Sequence, residues 1–272
     1  MGSLPPRSIP LIDLSLFTNP PSPSARVETA RSLVKACHET GFVYITNCGI
    51  ESSRIGEAFS WGHRFYALPD EKKSLAKHKD GSTVFRGWSC VGKEQVPEIE
   101  GEKKADVVDF TEAYGIGTDD NLEEPNVWIP ESVLSGFRTF TAEFHSECWQ
   151  VATQVLRALA LGLGLPDEEF LLRLHQQKDN ELSLRHYPPV DEETIRSGEL
   201  DRLGAHTDFD SFTLLWQDKV GGLEVKDMSG KWVDVQPMED TLVMNIGDVL
   251  QRWSNGISAL LHFAVIFLSV QN

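Results

Sequence analysis

Gly204-Ala205-His206-Thr207-Asp208-Phe209 is the stretch on which the reading of this chain turns. A His and an Asp two positions apart on a strand point to the same face. A neutral imidazole beside a carboxylate suits a hard-to-borderline divalent metal. A third His from a distant strand would complete a set of two His and one carboxylate. That set leaves coordination positions open, as iron(II) needs in order to bind a bidentate co-substrate and dioxygen together. His262 is the only His after position 208. A His-x-Asp triplet also occurs as a surface turn or a hydrogen-bonded pair, so its surroundings must carry the argument.

Those surroundings read as short strands: Leu182–Tyr187, Ser211–Trp216, Gly222–Lys226, Trp232–Val235, Leu242–Ile246 and Ala259–Leu268. Turn residues separate most of them, as in Asp227–Gly230 and Asn255–Gly256, and such a pattern predicts a sandwich or barrel. The N-terminal part reads differently. Residues 9–14 and Phe42–Thr46 predict strands, and Val27, Ala30, Val34 and Cys37 mark a helix that ends before Gly41. A second helix runs from Ser53 to Ala67 and stops before Pro69. Residues 78–106 predict loops. A long helix is expected over Glu131–Leu163, with Val133, Phe137, Phe140, Phe144, Val151, Val155 and Leu159 on one apolar face. The expected division is 1–120 (helices plus strands feeding the barrel), 121–178 (long helix) and 179–272 (the barrel domain), an α+β architecture.

The segment Gly204–Gly256 resembles the iron(II)/2-oxoglutarate-dependent dioxygenases of the isopenicillin N synthase-like family. The matching pieces after His206-Thr207-Asp208 are Thr213–Asp218, Gly221–Val225, Trp232, Val235, Asn245-Ile246-Gly247-Asp248-Val249-Leu250 and Trp253–Gly256. Ile9–Leu14, Gly41–Ile45 and Phe65–Pro69 resemble the family's leading region. The resemblance implies a double-stranded β-helix (jelly roll), iron(II), dioxygen, and 2-oxoglutarate as co-substrate for the oxidation of a small organic molecule, in the manner of secondary metabolism. It implies that His206 and Asp208 are the catalytic iron ligands, with His262 as the third. Tyr187 would contact 2-oxoglutarate. Arg185, where the family often has Asn, shares a face with Tyr187 by strand alternation.

The C-terminus departs from the family pattern. His262 falls one residue early, Phe263 replaces an Arg, and no Arg follows Arg252. The Arg-x-Ser pair that grips the distal carboxylate of 2-oxoglutarate is therefore missing, and the last sixteen residues read as foreign to the family body. Two alternatives stay open: an oxidase on the same scaffold that takes no 2-oxoglutarate, and a truncated non-catalytic isoform.

Composition bounds the partners. The 272 residues carry a formal net charge of −16, which disfavours nucleic acid and anionic membrane surfaces. The four cysteines are scattered without a Cys-x-x-Cys pair, as in a reducing compartment. The N-terminus lacks the blocks of a signal peptide, so a cytoplasmic monomer with a small-molecule substrate is expected. His38, His63, His78, His145 and His175 read as surface or satisfied core residues, and His186 is out of phase with Tyr187. Asp248 and Asn255 read as turn holders. The acidic group Asp106, Asp109 and Glu112 reads as a solvated rim.

The missing clamp leads to a prediction. A lost charge-assisted contact of about 2–4 kcal/mol weakens co-substrate binding roughly 30- to 1000-fold. Residues 1–272 should therefore release succinate poorly beside a version carrying a complete family C-terminus after Gly256. Equal yields would contradict this, unless Arg185→Ala abolished activity in the short chain alone.

Overall fold

The computed structural model describes residues 9–80, 84–93, 108–175, 180–191, 193–194, 200–227, 230–254 and 263–265. They form two compact units interleaved along the chain. The first draws on the chain up to Gly49, on Thr153–Leu174 and on Ala205–Val265; the second draws on Ile50–Ala152 and His175–Gly204. Each of the three consecutive regions expected from the sequence contributes to both.

In the first unit, Ser22 caps the helix Pro23–Thr40 by accepting from the Ala25 backbone N–H, with Pro23 in the first turn. Gly41 ends the helix at φ 66°, a left-handed conformation that glycine adopts without strain. The chain then turns directly into the strand Phe42–Thr46. That strand pairs in parallel with Leu11–Asp13 and antiparallel with Thr241–Ile246. Thr241–Ile246 pairs in turn with Phe212–Leu215, completing a four-stranded sheet. A second four-stranded sheet is ordered Trp232–Asp234, Leu223–Lys226, Phe263–Val265, Leu203–His206. Phe17, Leu33, Phe42, Ile45, Leu156, Leu159 and Leu242 are fully buried in this unit.

In the second unit, Gly87–Ser89, Glu112–Ile116 and Leu182–His186 form a three-stranded antiparallel sheet. Gly87–Ser89 lies where loops were expected, and all three residues are buried. Its core gathers Phe65, Trp88, Tyr114, Ile116 and Phe137. The Phe65 ring meets Tyr114 edge-on at 4.7 Å and stacks on Phe137 at 5.5 Å.

The long helix begins at Phe137 rather than Glu131. Gly136 takes φ 83°, and this left-handed residue breaks the helical path that the apolar spacing predicted through it. Phe137, Phe140 and Phe144 are buried, as the apolar stripe required. The expected strand over Ala259–Leu268 is described only at Phe263–Val265.

Near its C-terminal end the long helix touches Pro23–Thr40. A Cβ built on Gly162 would lie far inside contact distance of the Ala30 carbonyl oxygen and of Val34. Alanine is intrinsically better than glycine in a helix by about 1 kcal/mol. Overpacking against backbone costs about 1–3 kcal/mol, so the clash should win. Gly162→Ala is predicted to lower the urea midpoint; an unchanged or raised midpoint would show that the two helices can separate freely.

Candidate metal centre

The strand Leu203–His206 ends on His206, and Asp208 lies in the loop after it. The pair therefore does not share a strand face in the way the spacing suggested. The loop brings the two side chains together instead, with His206 Nε2 3.6 Å from Asp208 Oδ1. That separation is too long for a strong hydrogen bond and close to the spacing of two ligands on one cation.

The Asp208 carboxylate is oriented from the opposite side. Asn245 Nδ2 donates to Asp208 Oδ2 at 2.8 Å, and the Thr213 hydroxyl donates to the same oxygen. Asn245 and Thr213 are register partners across the strands Thr241–Ile246 and Phe212–Leu215. One carboxylate oxygen is thus held by two neutral donors, and the other stands beside His206.

Backbone contacts hold the loop itself. The Asp208 carbonyl accepts from the Asp248 N–H at 2.8 Å, the Ser211 carbonyl from Gly247 at 3.0 Å and the Asp210 carbonyl from Val249 at 3.1 Å. A Cβ at Gly247 would collide with Asp210, so only glycine allows this approach. Asp248 was expected to hold a local turn; instead it ties to the distant 207–208 loop, through its backbone N–H and through its carboxylate, which accepts from the Thr207 hydroxyl at 3.4 Å.

Among the described residues, no group of three or more His, Cys, Asp or Glu could hold a metal ion. His206 and Asp208 supply two donors, one nitrogen and one carboxylate oxygen. That chemistry fits iron(II), and the oxygen beside His206, Oδ1, is the one left facing the imidazole. His262 and Asn255 lie outside the described residues, so the expectations placed on them do too.

Tyr187 and Arg185 belong to the second unit. Along Leu182–His186 the exposure alternates: Ser183 and Arg185 are exposed, while Leu182, Leu184 and His186 are half-buried. Tyr187, also half-buried, follows the strand's end. The buried Arg202 donates to the carbonyl of Pro188, next to Tyr187, so Arg185 is not alone as a cation there. Burial pulls the Arg202 guanidinium below its usual pKa, and Tyr187 pulls it back.

His186 turns to the opposite face, where its Nδ1 lies 2.8 Å from Glu112 Oε1. Because a carboxylate only accepts, Nδ1 carries the proton. Glu112 and Asp109 correct the solvated-rim expectation: they are 3% and 6% exposed, and Asp106 lies outside the described residues. Glu112 Oε2 accepts from Lys73 Nζ and Trp88 Nε1, each at 2.8 Å. Asp109 Oδ1 accepts from the Gly204 backbone N–H at 2.8 Å, two residues before His206. In a chain this acidic, carboxylates read as surface groups, and nothing local announces donors that arrive from distant segments. The sequence offered one signal, that Glu112 opens the uncharged run Ala113-Tyr114-Gly115-Ile116, which the structure makes a fully buried strand.

The other histidines fit their expected roles where described. His145, for example, is buried with Nε2 3.3 Å from the Asn180 carbonyl oxygen.

The Glu112 cluster has a consequence for acid stability. Burial by itself would raise the Glu112 pKa, but the hydrogen bonds from His186, Lys73 and Trp88 outweigh it and hold the pKa below the ordinary 4.5. A carboxylate depressed in the folded state stabilises fully above its unfolded pKa and loses that contribution as pH falls through the folded value. Glu112→Gln should cost about 3 kcal/mol at pH 7, because it leaves Lys73 buried without its main partner. The difference from the parent should shrink as the pH is lowered below 4.5. Urea melts of both proteins across that range check this, and a constant gap would contradict it.

Two family models match the chain: "non-haem dioxygenase in morphine synthesis N-terminal" over residues 9–131, and "2OG-Fe(II) oxygenase superfamily" over residues 178–266. The second match includes His262. The chain is 38% identical over 247 residues to proline hydroxylase buaE of Petromyces alliaceus, covering 90% of this chain and 76% of that protein. It is 40% identical over 223 residues to the 2-oxoglutarate-dependent dioxygenase gloF of Glarea lozoyensis, covering 79% of this chain and 67% of that one. Among solved structures it resembles a full-length Neurospora crassa protein in complex with alpha-KG, with a TM-score of 0.85 and 35% identity over 97% of this chain and 80% of that one. The same Neurospora crassa protein in complex with alpha-KG and thymine matches with a TM-score of 0.85 and 33% identity over 97% and 81% of the two chains. These relatives establish the jelly-roll core and the 2-oxoglutarate chemistry, and they give no support to the oxidase or non-catalytic alternatives. The chain belongs to the 2OG-Fe(II) oxygenase superfamily, as a non-haem iron(II) oxidoreductase that couples 2-oxoglutarate decarboxylation, with dioxygen, to the oxidation of a small organic molecule.

Proposed function

We propose that this oxygenase hydroxylates a small organic molecule, with His206, Asp208 and His262 as its iron(II) ligands and with Tyr187 and Arg185 as contacts for 2-oxoglutarate. One observation carries the reading. Asp208 Oδ2 is engaged by Asn245 and Thr213, while Oδ1 stands 3.6 Å from His206 Nε2. Such an arrangement prepares one oxygen and one nitrogen for a shared cation before it binds, which lowers the reorganisation that binding requires. Hydroxylation of a small molecule is supported by a relative named as a proline hydroxylase and by a structural neighbour that holds thymine.

Iron, when bound, supplies the dioxygen and one-electron chemistry that side chains lack. The chain's own residues do the rest. The His206 imidazole and Asp208 carboxylate would hold the metal, and Asn245 and Thr213 keep the carboxylate from rotating. The Arg185 guanidinium offers a fork that matches a carboxylate, and the Tyr187 hydroxyl offers a further donor. A cytoplasmic location is supported by four free cysteines. Among the described residues, no helix is long and apolar enough to cross a membrane.

His206→Ala and Asp208→Ala should each weaken iron(II) binding by about a hundredfold or more, since each removes a ligand from a site with few donors. Asn245→Leu should weaken it about tenfold while leaving both ligands in place. Anaerobic iron(II) titration reads all three. If both alanine variants bind iron as the parent does, the ligand assignment is wrong.

A further inference from the structure

We infer that Glu112 is a positioning residue for the co-substrate strand: its carboxylate, acting through His186, sets how Arg185 and Tyr187 are presented to 2-oxoglutarate. The inference rests on the reading above that those two side chains meet 2-oxoglutarate.

Three segments converge on this one buried carboxylate. Lys73 comes from the short helix Asp70–Lys73, Trp88 from Gly87–Ser89 and His186 from Leu182–His186, each at 2.8 Å. Lys73 also lies 4.9 Å from the Trp88 ring centroid, which ties two of the three donors to each other. The backbone register already pairs Glu112 with His186 and Ala113 with Arg185. The side-chain bond therefore adds a second tie at the position that the ladder aligns.

Two further contacts hold His186. Its ring stacks on Tyr66 at 4.8 Å and 23°, and its carbonyl accepts from the Thr111 hydroxyl at 3.1 Å. The Tyr66 hydroxyl donates to the carbonyl of Leu184 on the same strand. Successive side chains of a strand point to opposite faces. Pinning His186 to the Glu112 face therefore commits its neighbour Arg185 to the other face. Tyr187 follows directly after the strand's end, so its backbone starts from the point at which His186 is held. A rotation of His186 about the strand axis would move both.

Packing alone does not require a carboxylate here. A buried charge with three donors is costly unless each bond is made, and it specifies one arrangement because alternatives leave a donor unpaired. Glu112 does not belong to the strand Leu203–His206 or to the loop that carries Asp208. A defect at Glu112 should therefore reach 2-oxoglutarate binding and leave iron binding unchanged, which a general loosening of the fold would not do.

The test uses the full chain under anaerobic conditions. Two midpoints are read: iron(II) on the chain, and 2-oxoglutarate on the iron-loaded chain through the charge-transfer absorption of the chelate. Glu112→Gln keeps the shape but places an amide donor among donors. His186→Phe keeps the stacking on Tyr66 and drops the bond to Glu112. Should Glu112→Gln not fold, the double variant Glu112→Gln with Lys73→Met removes the stranded buried cation and takes its place. The expected result is a rise of about tenfold in the 2-oxoglutarate midpoint in both the Glu112 and the His186 variants, with the iron midpoint unchanged. An unmoved 2-oxoglutarate midpoint in variants whose thermal midpoint has fallen would overturn the inference and leave Glu112 a structural residue. A parallel rise in the iron midpoint would overturn it too. If the parent itself forms no chelate, the 2-oxoglutarate reading of Arg185 and Tyr187 has failed and the inference falls with it, an outcome distinct from both others.

Discussion

The candidate metal centre depends on the register of one strand. Thr241–Ile246 is hydrogen-bonded on both sides, with Val243 opposite Tyr44 on one side and Asn245 opposite Thr213 on the other. Its residues from Leu242 to Ile246 are all buried. A slip of one residue would exchange side chains between two faces that are both packed, so neither would fit. It would also separate Asn245 from Thr213, and with them the two donors on Asp208 Oδ2. The same strand runs straight into Gly247, whose bare Cα lets the backbone close on Asp210. Core packing and site geometry are here a single constraint. The apolar residues fix the register, and the register delivers the polar atoms.

Buried charge follows the same logic in the second unit. Glu112 is surrounded by donors from three segments, and Asp109 is satisfied by the backbone N–H of Gly204. Neither would be stable inside the protein alone, since an unpaired buried carboxylate costs several kcal/mol. Their burial follows from the strands around them and ties those strands together in return. Both carboxylates meet segments that lead into residues of the expected chemistry: Gly204 precedes His206 by two positions, and His186 adjoins Tyr187. The segment Asp109–Glu112 therefore bears on two strands at once.

Local signals in the sequence were enough for most elements. Gly41 in left-handed conformation and the alternating run at Leu182–His186 act over a few residues, and each produced the expected helix end or strand. Where a local signal competed with another, the reading slipped. The apolar stripe from Val133 to Leu159 continues through Gly136, but periodicity carries no information about a single φ, and the helix starts after it. The His-x-Asp spacing implied a strand, whereas the strand stops at His206 and a loop delivers Asp208.

By itself the sequence determined the family and the jelly-roll class, because these are written in ordered motifs of fixed local spacing, and it singled out His206 and Asp208 as candidate donors. The tertiary structure alone decided which oxygen of Asp208 faces His206, that Asn245 and Thr213 hold the other, and that Asp109 and Glu112 are buried partners rather than a solvated rim. Each of these facts depends on a hydrogen bond whose partner comes from another strand or loop. Pairing across a sheet is set by register and burial acting over the whole fold, and no short stretch of sequence encodes it.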